Sequence, residues 1–244
     1  MNGNYRKILG INFFAGNAGE AVSLGLQGRF VVAPAAPALV NLPRDAAYRS
    51  AVSSADMAIT DSSLMVLLWN FTRHDNISRV SGLEYITLLL EALAGTSELP
   101  FFIMPSEKSW ERTRTWLKSQ SIRFSESQCY IAPLYSPGEI EDSALLTRLQ
   151  TLRPSQIVIA LGGGTQERLG LFLRKRLSYS AGIHCIGAAI GFLTGDQVRI
   201  PLWADRLYLG WLFRCLDKPL TYIPRYWKAR ELVWQMVFTQ DQAG

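Results

Sequence analysis

The 244-residue chain is poor in the residues that mark specialised chemistry. Histidine occurs twice, at His74 and His184, and cysteine three times, at Cys129, Cys185 and Cys215. An odd number of cysteines at unrelated spacings argues against a disulfide framework, so reduced thiols in a cytoplasm are expected. No stretch approaches the roughly 18 consecutive apolar residues of a spanning helix. The longest uncharged run, Leu177–Gly195, is interrupted by Ser178, Ser180, His184, Thr194 and four glycines. The opening MNGNYRKILG lacks an apolar signal core, which argues against secretion. A Walker phosphate loop, a clustered His/Cys/Asp metal signature and an Asp-x-Asp pair are also missing. Chemistry without a metal or a cofactor is therefore expected.

What is there suits a folded protein. Hydrophobic residues make up 48% and charged residues 18%, enough apolar material for a core and too little charge for a disordered chain. The net charge of +5 is concentrated. Segment 199–230 holds seven basic residues (Arg199, Arg206, Arg214, Lys218, Arg225, Lys228, Arg230) against Asp205 and Asp217, so the remainder balances. Strand candidates are Phe30–Ala33, Met57–Thr60, Pro100–Met104, Gln156–Leu161 and Gly182–Gly187. Helix candidates are Arg44–Ala55, Ser62–Asn70, Glu107–Gln120, Glu141–Leu152 and Gln166–Leu177. Their alternation predicts an α/β fold with a mainly parallel sheet.

Ligands of such sheets bind beyond the carboxyl ends of the strands. Three segments fall there: Asp61, the turn Gly162-Gly163-Gly164 running into Gln166 and Glu167, and Gly187-Ala188-Ala189. If the strands share one sheet, the three line one cleft. Asp61 is either a general base or a helix cap working through the amides of Ser62 or Ser63. The triple glycine brings amides and a helix start toward an anion such as a diphosphate, or is simply a tight turn. Its spacing does not fit a dinucleotide fingerprint. His184, mid-strand, reads as a satisfied core residue. The basic segment also carries Trp203, Tyr208, Trp211, Phe213, Tyr222, Tyr226 and Trp227. That mixture suits an anionic membrane surface, a nucleic acid, or a packed helix with a solvated basic face.

Several segments, in order, resemble the WecG/TagA/CpsF glycosyltransferase family. ALGGGTQE (Ala160–Glu167) is similar to the family's A-L-G-x-P-K-Q-E loop. GAAIGFLTGDQVRIPLW (Gly187–Trp203) is similar to G-x-x-F-D-F-x-A-G-x-x-x-R-A-P-x-W, and YLGWLFRCLDKP (Tyr208–Pro219) to G-L-E-W-L-x-R-L-x-x-E-P. ADMAITD (Ala55–Asp61), RVSGLE (Arg79–Glu84) and Ile223–Tyr226 resemble further family segments. The sequence departs from the pattern at Ala33 and Ala35, which stand for Thr and Asn, and at Gly191 and Gly210, which stand for Asp and Glu.

The resemblance implies a Rossmann-like core over residues 1–198, with helices on both faces of the sheet. It also implies a helical C-terminal appendage over residues 199–244 that meets the membrane and lids the site. It implies inverting transfer of a sugar, N-acetylmannosamine-type or another hexose, from a UDP-sugar to a saccharide on a polyprenyl diphosphate. Such a reaction serves cell-surface polysaccharide synthesis, at the cytoplasmic face of the cell membrane. Asp61 would be the base. Arg79, Gly162, Gly163, Gly164, Gln166, Glu167, Arg199, Arg214 and Arg225 would bind substrate. A nucleic-acid partner is not expected, and a homo-oligomer is left open. The missing side chains at 33, 35, 191 and 210 keep a second reading open, a non-catalytic relative that binds or scaffolds in polysaccharide assembly.

Overall fold

The computed structural model describes residues 4–187, 189–197, 201, 204 and 208–238. The chain opens with a hairpin of β1 (Tyr5–Ile8) and β2 (Ile11–Phe14). Leu9 and Gly10 form its two-residue turn, both at positive φ (52° and 79°), which matches the right-handed twist of the paired strands. Helix α1 (Ala18–Leu26) follows. None of these three elements stands out in the sequence. Then come β3 (Phe30–Val32), α2 (Ala36–Leu39), α3 (Ala46–Ser53), β4 (Met57–Ala58), α4 (Ser63–Arg73) and α5 (Gly82–Ala94). The chain continues through β5 (Phe101–Met104), α6 (Glu107–Ser119), β6 (Cys129–Ile131), α7 (Ser143–Leu152), β7 (Gln156–Ile159) and α8 (Thr165–Arg176). It ends with β8 (Gly182–Cys185), α9 (Ala189–Thr194), α10 (Gly210–Asp217), α11 (Pro219–Ala229) and α12 (Glu231–Phe238).

Short polar side chains start most of the core helices. Asn17, Asp45, Ser62, Ser81, Ser106 and Asp142 each accept a hydrogen bond from the backbone N–H three residues on. The strands form one eight-stranded sheet in the order β1-β2-β4-β3-β8-β7-β5-β6, parallel except for the opening hairpin. This is the expected α/β architecture.

Alternation along each strand divides the core into two layers. Phe30, Val32, Ile157 and Ile159 face a layer shared with α2, α4, α7 and α8. Val31, Val158, Phe102 and Met104 face a layer shared with α1, α5, α6 and α9. Helices α11 and α12 pack on α2 and α4, and Ala229, Leu232 and Met236 complete the first layer.

A buried polar chain crosses the sheet. Gln156 Nε2 donates to Leu26 O, and Gln156 Oε1 lies 2.9 Å from His184 Nε2. His184 Nδ1 lies 2.8 Å from the Tyr85 hydroxyl. Since Gln156 presents its oxygen, the His184 proton sits on Nε2, and Nδ1 accepts from Tyr85. Burial lowers the His184 pKa to about 3. Its contribution to stability is therefore complete above its ordinary value of 6.5 and is lost as pH falls toward 3. The expectation of a satisfied core histidine holds.

Two substitutions test this packing. A Cβ on Gly170 would lie 2.5 Å from Phe30 Cε2 and 2.8 Å from Cys185 Sγ, so Gly170→Ala should destabilise by about 1–3 kcal/mol. Tyr85→Phe leaves the His184 acceptor unpaired and should cost about 1–3 kcal/mol. Urea midpoints at unchanged slope measure both.

Candidate active site

The loop leaving β3 enters α2 on one face of the sheet, and the loop leaving the adjacent β8 enters α9 on the other. Neighbouring strands with oppositely directed exits open a crevice at their carboxyl ends. The three segments expected to share a cleft meet there. A Cβ on Gly82 would lie 3.7 Å from Asp61 Oδ1, 3.6 Å from Ile186 O and 3.4 Å from Ala189 Cβ. On the other side, Gln166 Oε1 accepts from Gly187 N–H, which joins the triglycine turn to the end of β8.

Asp61 follows the short strand β4. Its Oδ1 accepts from Gly82 N–H at 2.8 Å, the first amide of α5. The helix-cap reading of Asp61 does not hold: Ser62 caps α4 through Met65 N, so the Asp61 carboxylate is turned toward α5 instead. Arg79 donates from Nε to Asp61 O at 2.9 Å, and its Nη2 lies 3.8 Å from Asp61 Oδ1. The side chains of Asp61 and Arg79 retain 22% and 14% exposure, so both remain reachable from the crevice. Thr60 sets this pair in place. Its buried hydroxyl donates to Ser78 O at 2.8 Å and accepts from Val80 N at 2.9 Å, clamping the segment that carries Arg79.

The triglycine turn offers fewer amides than its composition suggests. Gly164, at φ +90°, gives its N–H to Glu167 Oε2 at 2.7 Å. Thr165 and Gln166 give theirs to Gly162 O. Among the described residues, this leaves the Gly162 and Gly163 amides to face an anion, together with the positive end of α8. Gln166 is 2% exposed and Glu167 is fully buried, so Glu167 does not face the crevice as a ligand-contacting residue would. Burial pushes the Glu167 carboxyl up to about 7, against the hydrogen bonds it accepts from Gln166 and Gly164.

Helices α10 and α11 lie over the rim. Arg214 stacks its guanidinium 4.7 Å from the Phe192 ring centre, and its Nη1 reaches the Tyr226 hydroxyl at 3.5 Å. Arg214 Nε is buried without a hydrogen-bond partner. Burial raises the Tyr226 pKa, offset by Arg214, and the Asp61 charge raises it further, which puts all three in one electrostatic neighbourhood. Tyr208 lies under the Arg79 guanidinium at 5.8 Å. Tyr222 donates to Gln197 Oε1 at 3.1 Å, while Arg225 is exposed and stacks on Tyr222. Arg199, like Trp203 and Arg206, lies outside the described residues. Trp211 is 47% exposed rather than packed on the core.

A cavity of about 140 Å³ adjoins the turn, lined in part by Ser109, Gly162, Gly191, Asp196 and Gln197. A larger groove of about 550 Å³, beside Trp110, Glu126 and Arg148, follows the outer strand β6. Four strands separate β6 from β4, so that groove is remote from Asp61. Among the described residues, no three or more His, Cys, Asp or Glu side chains cluster as metal ligands. Thr60, Gly82, Phe192 and Gln197 did not show themselves as site residues in the sequence. Thr60, Gly82 and Gln197 lie within three residues of Asp61, Arg79 and Arg199, so proximity in the sequence to those residues was the available signal.

A carboxylate beside an arginine and a glycine-rich turn, both at the carboxyl edge of the sheet, mark a Rossmann-like α/β protein. The chain matches the model of the Glycosyl transferase WecG/TagA/CpsF family over residues 6–243 and belongs to that family of glycosyltransferases. It is 24% identical over 190 residues to a Bacillus subtilis protein, covering 75% of this chain and 71% of that one. It is also 24% identical over 187 residues to a Bacillus spizizenii protein, covering 73% and 69%. Both carry the name N-acetylglucosaminyldiphosphoundecaprenol N-acetyl-beta-D-mannosaminyltransferase.

Phe192 tests how α10 is held. Phe192→Ala removes the ring under Arg214, so trypsin should cleave within α10 and α11 several-fold faster, with little change in cleavage elsewhere. Mass mapping of the first fragments reads the outcome.

Proposed function

We propose that this glycosyltransferase moves a hexose, N-acetylmannosamine-type or another, from a UDP-sugar to a polyprenyl-diphosphate-linked saccharide, with inversion and without a metal. The observation that carries the reading is the Asp61 carboxylate, oriented by Gly82 N–H at the crevice and still partly exposed. As general base, Asp61 takes the proton of the acceptor hydroxyl. The freed oxygen attacks the anomeric carbon from the face opposite the bond to the nucleoside diphosphate. That bond breaks, and its electron pair leaves on the diphosphate. The Gly162 and Gly163 amides, the start of α8, Arg79 and Arg214 are the groups that would donate to the growing negative charge, a reading supported by their place around the carboxyl ends of the strands. The names of the two Bacillus relatives support an acceptor built on undecaprenyl diphosphate.

The surface of α10 and α11 suits an enzyme whose acceptor is lodged in a bilayer. Leu216, Leu220, Ile223 and Trp227 are exposed at 72%, 93%, 54% and 66%, beside Lys218, Arg225, Lys228 and Arg230. Apolar anchors ringed by cations match an anionic membrane face. No helix among the described residues is long and apolar enough to cross a membrane. The reading is thus of a protein peripheral on the inner face of the cell membrane.

Asp61→Asn should lower kcat by about 10²–10⁴-fold, the usual share of a general base, and leave the donor KM within a few-fold. Transfer from a panel of UDP-hexoses to a polyprenyl-diphosphate-sugar measures this, and a chelator should not alter the rate. Failure of the wild type to bind any nucleotide sugar would favour the non-catalytic reading raised by Ala33, Ala35, Gly191 and Gly210. Leu220→Ser with Trp227→Ser should abolish co-sedimentation with anionic liposomes while circular dichroism is unchanged.

A further inference from the structure

Glu167 is a fully buried acid placed where a catalytic crevice needs exact loop placement. Its Oε2 accepts from Gly164 N–H at 2.7 Å, and its Oε1 accepts from Gln166 Nε2 at 3.0 Å. An ionised carboxylate has no proton to give, so Gln166 must turn its amino group toward Glu167. The Gln166 carbonyl oxygen then points the other way, where it accepts from Gly187 N–H. Gly187 sits at φ +61° in the turn between β8 and α9. The orientation of one amide thus links the triglycine turn on one side of the crevice to the β8–α9 turn on the other. Helix α9 in turn carries Phe192, the platform for Arg214.

We infer that Glu167 is a positioning residue of the donor site: through Gln166 it sets the gap between the triglycine turn and the Gly187 turn, into which the donor diphosphate fits. The inference rests on the nucleotide-sugar reading above. Glu167 touches no substrate. The charged and titratable groups that act on it or feel its charge are Arg168 on its own helix, Tyr48 on α3 and Cys185 on β8. Burial brings Glu167 to about 7, so its proton state changes within the ordinary range of pH. When protonated, one of its oxygens becomes a donor, and either Gly164 N–H or the Gln166 amino group loses its acceptor. The link is complete above that pH and loosens below it.

Amide chemical shifts of the full chain, followed from pH 5.5 to 8.5 without ligand, test the link. Gly164 and Gly187 should titrate with a shared midpoint near 7, and both should stop titrating in Glu167→Gln. Gly187 is the decisive probe because it does not touch Glu167. A Gly187 signal static in the wild type, or still titrating in Glu167→Gln, overturns the inference. Should Glu167→Gln fail to fold, Gln166→Ala replaces it: Gly164 keeps titrating and Gly187 stops.

Calorimetry with UDP-glucose, whose diphosphate diester keeps its charge across this range, reads the consequence. Glu167→Gln should weaken binding about tenfold, the effect of one misplaced hydrogen bond, and should flatten its pH dependence. Unchanged affinity and pH profile overturn the positioning role. If the wild type binds no nucleotide sugar, the proposed function fails, and the amide titration alone decides the link.

Discussion

Parallel strands bring all their carboxyl ends to one edge, and here two neighbours, β3 and β8, send their chains to opposite faces. Every feature of the candidate site follows from that geometry. The crevice opens where these two connections part to opposite faces. Its floor is a row of loops, so its polar groups are backbone amides and loop side chains such as Asp61 and Arg79. A site built this way draws its ligands from segments far apart in the chain. Asp61, Arg79, the turn at 162–164 and Gly187 come from four separate loops.

Those connections are held by buried polar bonds rather than by apolar packing alone. The Tyr85–His184–Gln156 chain ties α5 to β8 and β7, and the same turn of α5 supplies the Gly82 N–H that holds Asp61. The Thr60 hydroxyl clamps the segment bearing Arg79, and Glu167 with Gln166 joins the remaining two turns. Two of the strongly shifted members, His184 and Glu167, respond to pH in opposite senses. His184 favours the fold above its ordinary pKa, and its share is lost on acidification. The raised carboxyl of Glu167 favours the fold at low pH, and its share is lost as pH rises through about 7.

The C-terminal helices combine a structural task with a surface task. Ala229, Leu232 and Met236 fill the core layer, and Arg44–Glu231, Lys228–Asn41 and Gln235–Val40 fix α11 and α12 to the loop after α2. Toward the crevice, Arg214, Tyr222 and Tyr226 reach the rim. On the outside, large apolar side chains meet solvent. A solvated basic face over a packed helix, one of the readings the sequence allowed, describes only part of this, because the apolar residues are divided between both sides.

The sequence by itself determined the elements with strong local signals. Apolar runs ended by glycine marked β7 and β8, Ser106 and Asp142 sit where helices start, and the strand-to-helix junctions pointed to Asp61 and the triglycine turn. The opening hairpin, α1 and α5 passed unseen, since four-residue strands and an almost wholly apolar helix such as Gly82–Ala94 carry little periodicity. Tertiary structure alone decided what each site residue does. Asp61 is turned from its own helix by an amide 21 residues away. Glu167 folds inward and takes the Gly164 amide of the triglycine turn. Residue type specifies which hydrogen bonds are available, but partners so distant in the chain are chosen only when the sheet brings its loops together.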